Sequence, residues 1–245
     1  DDILILTHQR PDGDTAGCAG ALCRALRQIG KTAYILENPE ITKRYTPLIV
    51  PCYPPEGFTP QYVVSTDIAE EKLCPDTAES YKGKVDLAID RHRSNGGFAK
   101  KNLIRPDAGA CAEVLYDVIM ALGVKLTTDI AECVYIGVST DTGCFKFSNT
   151  TAHTHAVAAA CLTAGIDGGE INRALFETKT MPRFQMERII FDTMEFYEDG
   201  AIAVAVLWRA DIDRTGADMD DLDSIASLTR QIEGDLARES GFLFS

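Results

Sequence analysis

A chain of 245 residues with 45% hydrophobic content can bury a core as one large domain, or as one domain and part of a second, which excludes a disordered segment. A formal net charge of -13 excludes a basic surface for long nucleic acid, whose affinity comes mainly from neutralising phosphates, but leaves room for a small anionic substrate held through metal. Eight cysteines with no C-x-x-C pair exclude a disulfide framework or zinc knuckle, and with no apolar stretch of membrane-spanning length they describe a cytoplasmic protein with buried thiols.

In chain order, short β-branched runs that close on polar clusters predict strands at Ile3 to Leu6, Thr32 to Leu36, Tyr62 to Ser65 and Val85 to Ile89. Between the first two, Thr15 to Ile29 has helical spacing and stops at Gly30. After Pro106 apolar stripes predict helices at Cys111 to Leu122, Ile130 to Val138, Thr151 to Thr163, Glu170 to Phe176 and Arg183 to Phe196. A buried strand is predicted at Ala201 to Trp208, after a turn at Asp199-Gly200. The alternation gives an α/β fold: a doubly wound, mainly parallel sheet over residues 1–180, then a linker helix and the incomplete start of a smaller α/β domain over 181–245. The chain opens inside a strand pattern and ends on "LARESGFLFS", so both ends are expected to be incomplete.

Ligands bind beyond the carboxyl ends of strands in open α/β sheets. There the sequence places His8, Asp12 and Asp14 after the first strand, Asp67 after the third, and Asp90, Arg91 and His92 after the fourth. A further cluster, "VSTDTGCF", carries Asp141. Five carboxylates and two histidines at one sheet edge repel strongly, each like-charge pair at 4 Å costing about 4 kcal/mol at an effective dielectric near 20. Bound cations compensate most simply. Gly13 permits a tight turn, so Asp12 and Asp14 can each serve a different ion with Asp67 between them. Two divalent ions roughly 3.5 to 4 Å apart form the standard clamp for phosphate-ester hydrolysis. An oxygen and imidazole ligand set suits Mn²⁺ better than Mg²⁺. Each cluster also has a plain alternative. "PDGD" is a good loop tetrapeptide, Asp67 and Asp90 are possible helix N-caps, and Asp141-Thr142-Gly143 is a serviceable turn. Four acidic clusters at element ends, sharing half of the chain's four histidines, favour a site. His153 and His155 read as surface or capping residues, and Lys179, Arg183 and Arg188 as a solvated face near a hinge.

"LTHQRPDGDTAG", "VVSTD", "AIDRHRSN" and "GVSTDTGCFKFSNTT" resemble, in order and spacing, the four motifs of DHH phosphoesterases, and most of all the bacterial oligoribonuclease and pAp-phosphatase (nanoRNase) type. The resemblance covers residues 1 to about 230. It implies a doubly wound domain, a smaller substrate-binding domain and a dinuclear manganese site, and since relatives are often dimers, a homodimer. By motif, His8, Asp12, Asp67 and Asp141 would hold the first ion, and Asp14 and Asp67 the second. His92 would meet the scissile phosphate, and Asp90 would orient the site. Ser94, Asn95 and Arg238 are the substrate-binding candidates. Arg91 departs from the pattern, standing where a histidine ligates the second ion. A guanidinium has no lone pair to donate, so either it turns away or its charge partly replaces that ion. Both routes predict slow hydrolysis.

The expected activity is hydrolysis of short RNA or DNA oligonucleotides, pAp or linear dinucleotides to mononucleotides. A catalytically weak nucleotide-binding or regulatory protein and a DHH-type inorganic pyrophosphatase are the alternatives. A Rossmann dehydrogenase is set aside because no G-x-G-x-x-G follows the first strand.

Overall fold

Ile3–Leu6 forms β1, an inner strand of a five-stranded parallel sheet, in a computed structural model that describes residues 1–222 together with Ile225, Leu228 and Ile232. The other strands are β2 (Ala33–Ile35), β3 (Tyr62–Thr66), β4 (Leu87–Asp90) and β5 (Lys101–Ile104), in the order β2-β1-β3-β4-β5. This is a doubly wound order that reverses direction between β1 and β3, the position where such sheets open a ligand crevice. Alternate side chains of β1 divide the core. Ile5 packs toward the helices, whereas Leu4 and Leu6 join Val63, Ile68, Val85 and Ala88 on the opposite face. That second face is covered by short 3₁₀ helices at Glu71–Leu73 and Asp76–Tyr81.

The helical face carries α1 (Gly13–Gln28), α2 (Thr46–Ile49), α3 (Cys111–Ala121), α4 (Thr128–Asp141), α5 (Ala152–Thr163) and α6 (Gly168–Asn172). Helix α1 begins two residues earlier than expected because Asp12 caps it, its carboxylate accepting the Asp14 and Thr15 backbone N–H groups. It ends on Ile29, with Gly30 in the left-handed conformation (φ 79°) and Lys31 N–H returning to the Leu26 carbonyl, the pattern that satisfies a helix's last carbonyls. Glycines bring α1 and α4 into close approach: a Cβ on Gly17 would lie 2.4 Å from the Cys133 carbonyl oxygen. Strand β5 was not expected. It is mostly exposed and carries Lys101 and Asn102, so it lacks the apolar run that betrays an inner strand.

By contact the chain divides into two units, Asp1–Glu177 and Thr178–Ser245. The second contains α7 (Met181–Asp192), the antiparallel pair β6 (Glu195–Tyr197) and β7 (Ile202–Val204), α8 (Arg209–Thr215) and α9 (Met219–Leu222). Its core is Met186, Ile190, Ala205, Leu207, Ile212, Ile225 and Leu228. Three expectations are corrected here. The helix stops at Asp192 and Phe196 lies in a strand, while the strand expected from Ala201 to Trp208 shrinks to three half-exposed residues. Lys179 and Arg183 are not a free solvated face, since both ion-pair with the buried Glu187, at 2.6 and 2.8 Å. His153 and His155 are exposed on α5, where His153 sits 3.3 Å from Asp117 and His155 stacks on Phe145. All eight cysteines are free thiols, seven of them buried. Among the described residues no helix is long and apolar enough to cross a membrane.

Candidate metal centre

The carboxyl ends of β1, β3 and β4 bring His8, Asp67, Asp90 and His92 to one edge of the sheet. Asp12 comes from the cap of α1 and Asp141 from the last turn of α4. An open cleft of about 260 Å³ is lined by His8, Asp12, Asp67, His92 and Asp141, with Gln9 and Arg10 at its rim. Sequence reasoning missed Arg10. Its only signal was a cation inside the His8 to Asp12 loop, where it adopts a left-handed backbone (φ 51°) fixed by a hydrogen bond from its N–H to Glu40.

His8, Asp12 and Asp67 can each offer one ligand atom, and those atoms all lie within 4.8 Å of one another. The His8 Nδ1–H donates to the Gln9 carbonyl at 2.6 Å, which turns Nε2 toward Asp12 Oδ1 (3.6 Å) and Asp67 Oδ2 (3.9 Å). A backbone carbonyl on one ring nitrogen is the usual way a metal-ligating histidine is oriented. Asp67 follows β3 with φ 58°, a conformation that aspartate tolerates better than most residues but which still costs about 1 kcal/mol or more. Its Oδ1 is buried without a hydrogen-bond partner among the described residues. A buried carboxylate oxygen with no donor is what a cation would satisfy, so this donor set fits a divalent ion.

Asp67, Asp90 and His92 also cluster, but there the Asp90 carboxylate is already satisfied by the protein. Asp90, fully buried, accepts the Arg91 backbone N–H at 2.7 Å, the Asn95 amide at 2.7 Å and His92 Nδ1–H at 2.7 Å. Burial opposes its charge, but His92 and Asn95 hold its carboxyl below the usual range. Asp90 therefore fixes the His92 ring and leaves Nε2 as the imidazole's remaining nitrogen. Asn95 spends its amide on Asp90 and on the Ile68 carbonyl (3.1 Å) and is not among the residues that line the cleft. Ser94 is exposed in the following turn, and Arg238 lies outside the described residues.

Asp14 and Arg91 differ most from the expected arrangement. Asp14 does not line the cleft: its two oxygens accept the Cys111 N–H (2.7 Å) and the Ala112 N–H (2.9 Å) at the start of α3. Arg91 turns inward, and its Nη2 lies 2.5 Å from Asp141 Oδ2. The contact is not an in-line hydrogen bond, for Asp141 Oδ2 and Arg91 Nε have no hydrogen-bond partner among the described residues. Burial, reinforced by neighbouring carboxylates, pushes Asp14 and Asp67 well above the usual range. Asp141 is pushed by burial to about 6 despite Arg91 beside it. One arginine does not neutralise this cluster.

The N-terminal domain model of the DHH family matches residues 2–138, more than half of the chain. The chain belongs to the DHH family. It is 32% identical over 234 residues to the bifunctional oligoribonuclease and PAP phosphatase NrnA of Thermus thermophilus, covering 95% of this chain and 69% of that protein. The NrnA of Bacillus subtilis is 26% identical over 211 residues, covering 84% and 66%. The chain thus spans about two thirds of the length of these DHH relatives. Among solved structures, an exopolyphosphatase-related protein from Bacteroides fragilis superposes with a TM-score of 0.85 at 20% identity, covering 95% of this chain and 73% of that one, which establishes the shared fold.

Proposed function

We propose that this DHH protein is a metal-dependent phosphoesterase that hydrolyses short oligoribonucleotides, pAp or linear dinucleotides to mononucleotides. The observation that carries the reading is Asp67, whose Oδ2 faces His8 Nε2 and whose Oδ1, 3.7 Å from His92, is buried without a donor among the described residues, at the point where the sheet order reverses. His8, Asp12 and Asp67 would hold the ion, with Asp141 on the same cleft wall. A bound divalent ion supplies a Lewis acid and a nucleophilic hydroxide near neutral pH. The imidazole and carboxylate donors favour Mn²⁺, with Mg²⁺ as the second choice. His92, held by Asp90, faces the same cleft and contacts the scissile phosphate. Arg10 at the rim offers an anionic substrate a cation where the ligands above leave the wall negative. A short substrate suits a net charge of -13, because it needs only local contacts.

The test is product analysis with two- to five-residue RNA and pAp in excess Mn²⁺. Release of 5′-mononucleotides from the RNA, and of inorganic phosphate from pAp, is expected. Cleavage of pyrophosphate alone would move the assignment to the pyrophosphatase reading, which is weaker because the relatives above carry the oligoribonuclease and PAP phosphatase name. Binding of pAp without turnover would favour the catalytically weak alternative, whose support is the inward Arg91.

Asn95→Ala removes the hydrogen bonds to Asp90 and to the Ile68 carbonyl without touching a ligand of the ion. Loss of a group that orients a site residue typically costs about 10- to 100-fold. The expected result is a fall of that size in turnover with Mn²⁺ affinity nearly unchanged, read from initial rates and metal titration.

A further inference from the structure

We infer that the centre takes one divalent cation, not two, and that the Arg91 guanidinium occupies the second position as a permanent cation. The inference rests on the metal-dependent reading above and concerns how many ions that site accepts. Three observations converge on it. Arg91 Nη2 stands 2.5 Å from Asp141, so the side chain points into the carboxylate cluster instead of folding away from it. It is always protonated and has no lone pair for a metal, and an ion placed beside it would meet like charge directly. The other residue expected to hold a second ion, Asp14, has both oxygens committed to the Cys111 and Ala112 N–H groups. The first turn of a helix stabilises a carboxylate there by its exposed N–H groups and its dipole, so withdrawing Asp14 toward an ion would leave two buried donors unpaired. Asp67, set between His8 and His92, has by contrast one oxygen, Oδ1, buried and lacking a hydrogen-bond donor among the described residues, with no arginine or lysine against it.

The two positions therefore differ in kind. Around His8 Nε2 stand the Asp12 and Asp67 carboxylates with no cationic side chain between them among the described residues, whereas at the other position the Arg91 guanidinium already stands against Asp141 and each Asp14 oxygen already accepts a backbone N–H. With its side chain about a quarter exposed, Arg91 is accessible to donate to a phosphate oxygen that a second ion would otherwise bind.

Equilibrium dialysis of the full chain against Mn²⁺, with elemental analysis, is expected to give one ion per chain. Electron paramagnetic resonance of the loaded protein is expected to give the six-line signal of an isolated Mn²⁺. Arg91→His restores an imidazole and is expected to bind two ions with an exchange-coupled spectrum, whereas Arg91→Gln, which removes the charge without adding a ligand, stays at one. Two ions and a coupled spectrum in the unsubstituted chain would overturn the inference and leave the phosphoesterase reading standing. A single ion in Arg91→His, with circular dichroism showing it folded, would overturn the role given to Arg91. No ion in any of the three would remove the metal-dependent reading and the inference together.

Discussion

Asp67→Asn is expected to abolish Mn²⁺ binding and to lower phosphoester hydrolysis by at least about 10²- to 10³-fold, the scale of one lost charge-stabilising contact in a transition state. The same substitution is expected to raise the melting temperature of the metal-free protein. Asp67 is 4% exposed, with one oxygen lacking a donor, and burial together with Asp14 pushes its carboxyl well above the usual range. In the absence of metal this charge is a liability that an isosteric amide removes. A gain of about 1 kcal/mol corresponds to roughly 2 to 4 °C in a domain of this size. Metal reverses the ranking, because a ligand at 100 times its Kd stabilises the folded wild type by about 2.7 kcal/mol, a term the variant loses. Calorimetry with and without Mn²⁺ reads both signs. A variant that melts lower without metal, or that still gains stability from Mn²⁺, would show that Asp67 is a structural residue and not the centre of the ligand set.

The parts of the fold that were legible in the sequence are those whose signal is local. Strands β1, β3 and β4 announce themselves as apolar runs because they are buried on both faces, and the carboxylates that close them fall where the sheet must end. Strand β5 was silent because an edge strand with an exposed face reads as polar chain. The spacing starts helix α1 two residues late because Asp12, Gly13 and Asp14 have the look of a ligand loop, when Asp12 is at once the cap of the helix and a wall of the cleft. The spacing of Asp12 and Asp14 suggested one ion each. What that spacing does not announce is the pair of N–H groups at Cys111 and Ala112, nearly a hundred residues further along, from which Asp14 accepts. The motif makes Asn95 a substrate-contact candidate, and what it does not announce is the hydrogen bond from the Asn95 amide to Asp90. The Arg91 alternatives were both visible in the sequence, and only the position of Asp141 separates them.

Gly17→Ala is expected to destabilise the first unit by about 1 to 3 kcal/mol even though alanine is the better helix former, because overpacking of a close-packed interior costs that much. In an open helix the same change would stabilise by up to about 1 kcal/mol. The sign is reversed by geometry. The new Cβ would lie 2.4 Å from the Cys133 carbonyl oxygen and 3.1 Å from the Gly137 nitrogen, and backbone within α4 cannot swing aside as a side-chain tip can. Helices α1 and α4 must then separate. The effect extends to function, since α1 carries Asp12 at its cap and α4 ends on Asp141, and both line the cleft. Gly137 lies on the same seam, where a Cβ would press on Ala112 at 2.7 Å and on Asp14 Oδ1 at 2.9 Å. Urea unfolding should therefore give a lower midpoint for Gly17→Ala, and metal titration a weaker Mn²⁺ affinity, the two falling together. A raised midpoint would mean that the helices have slack at Gly17, and a lowered midpoint with unchanged metal affinity would mean that the cleft does not depend on how closely α1 and α4 approach.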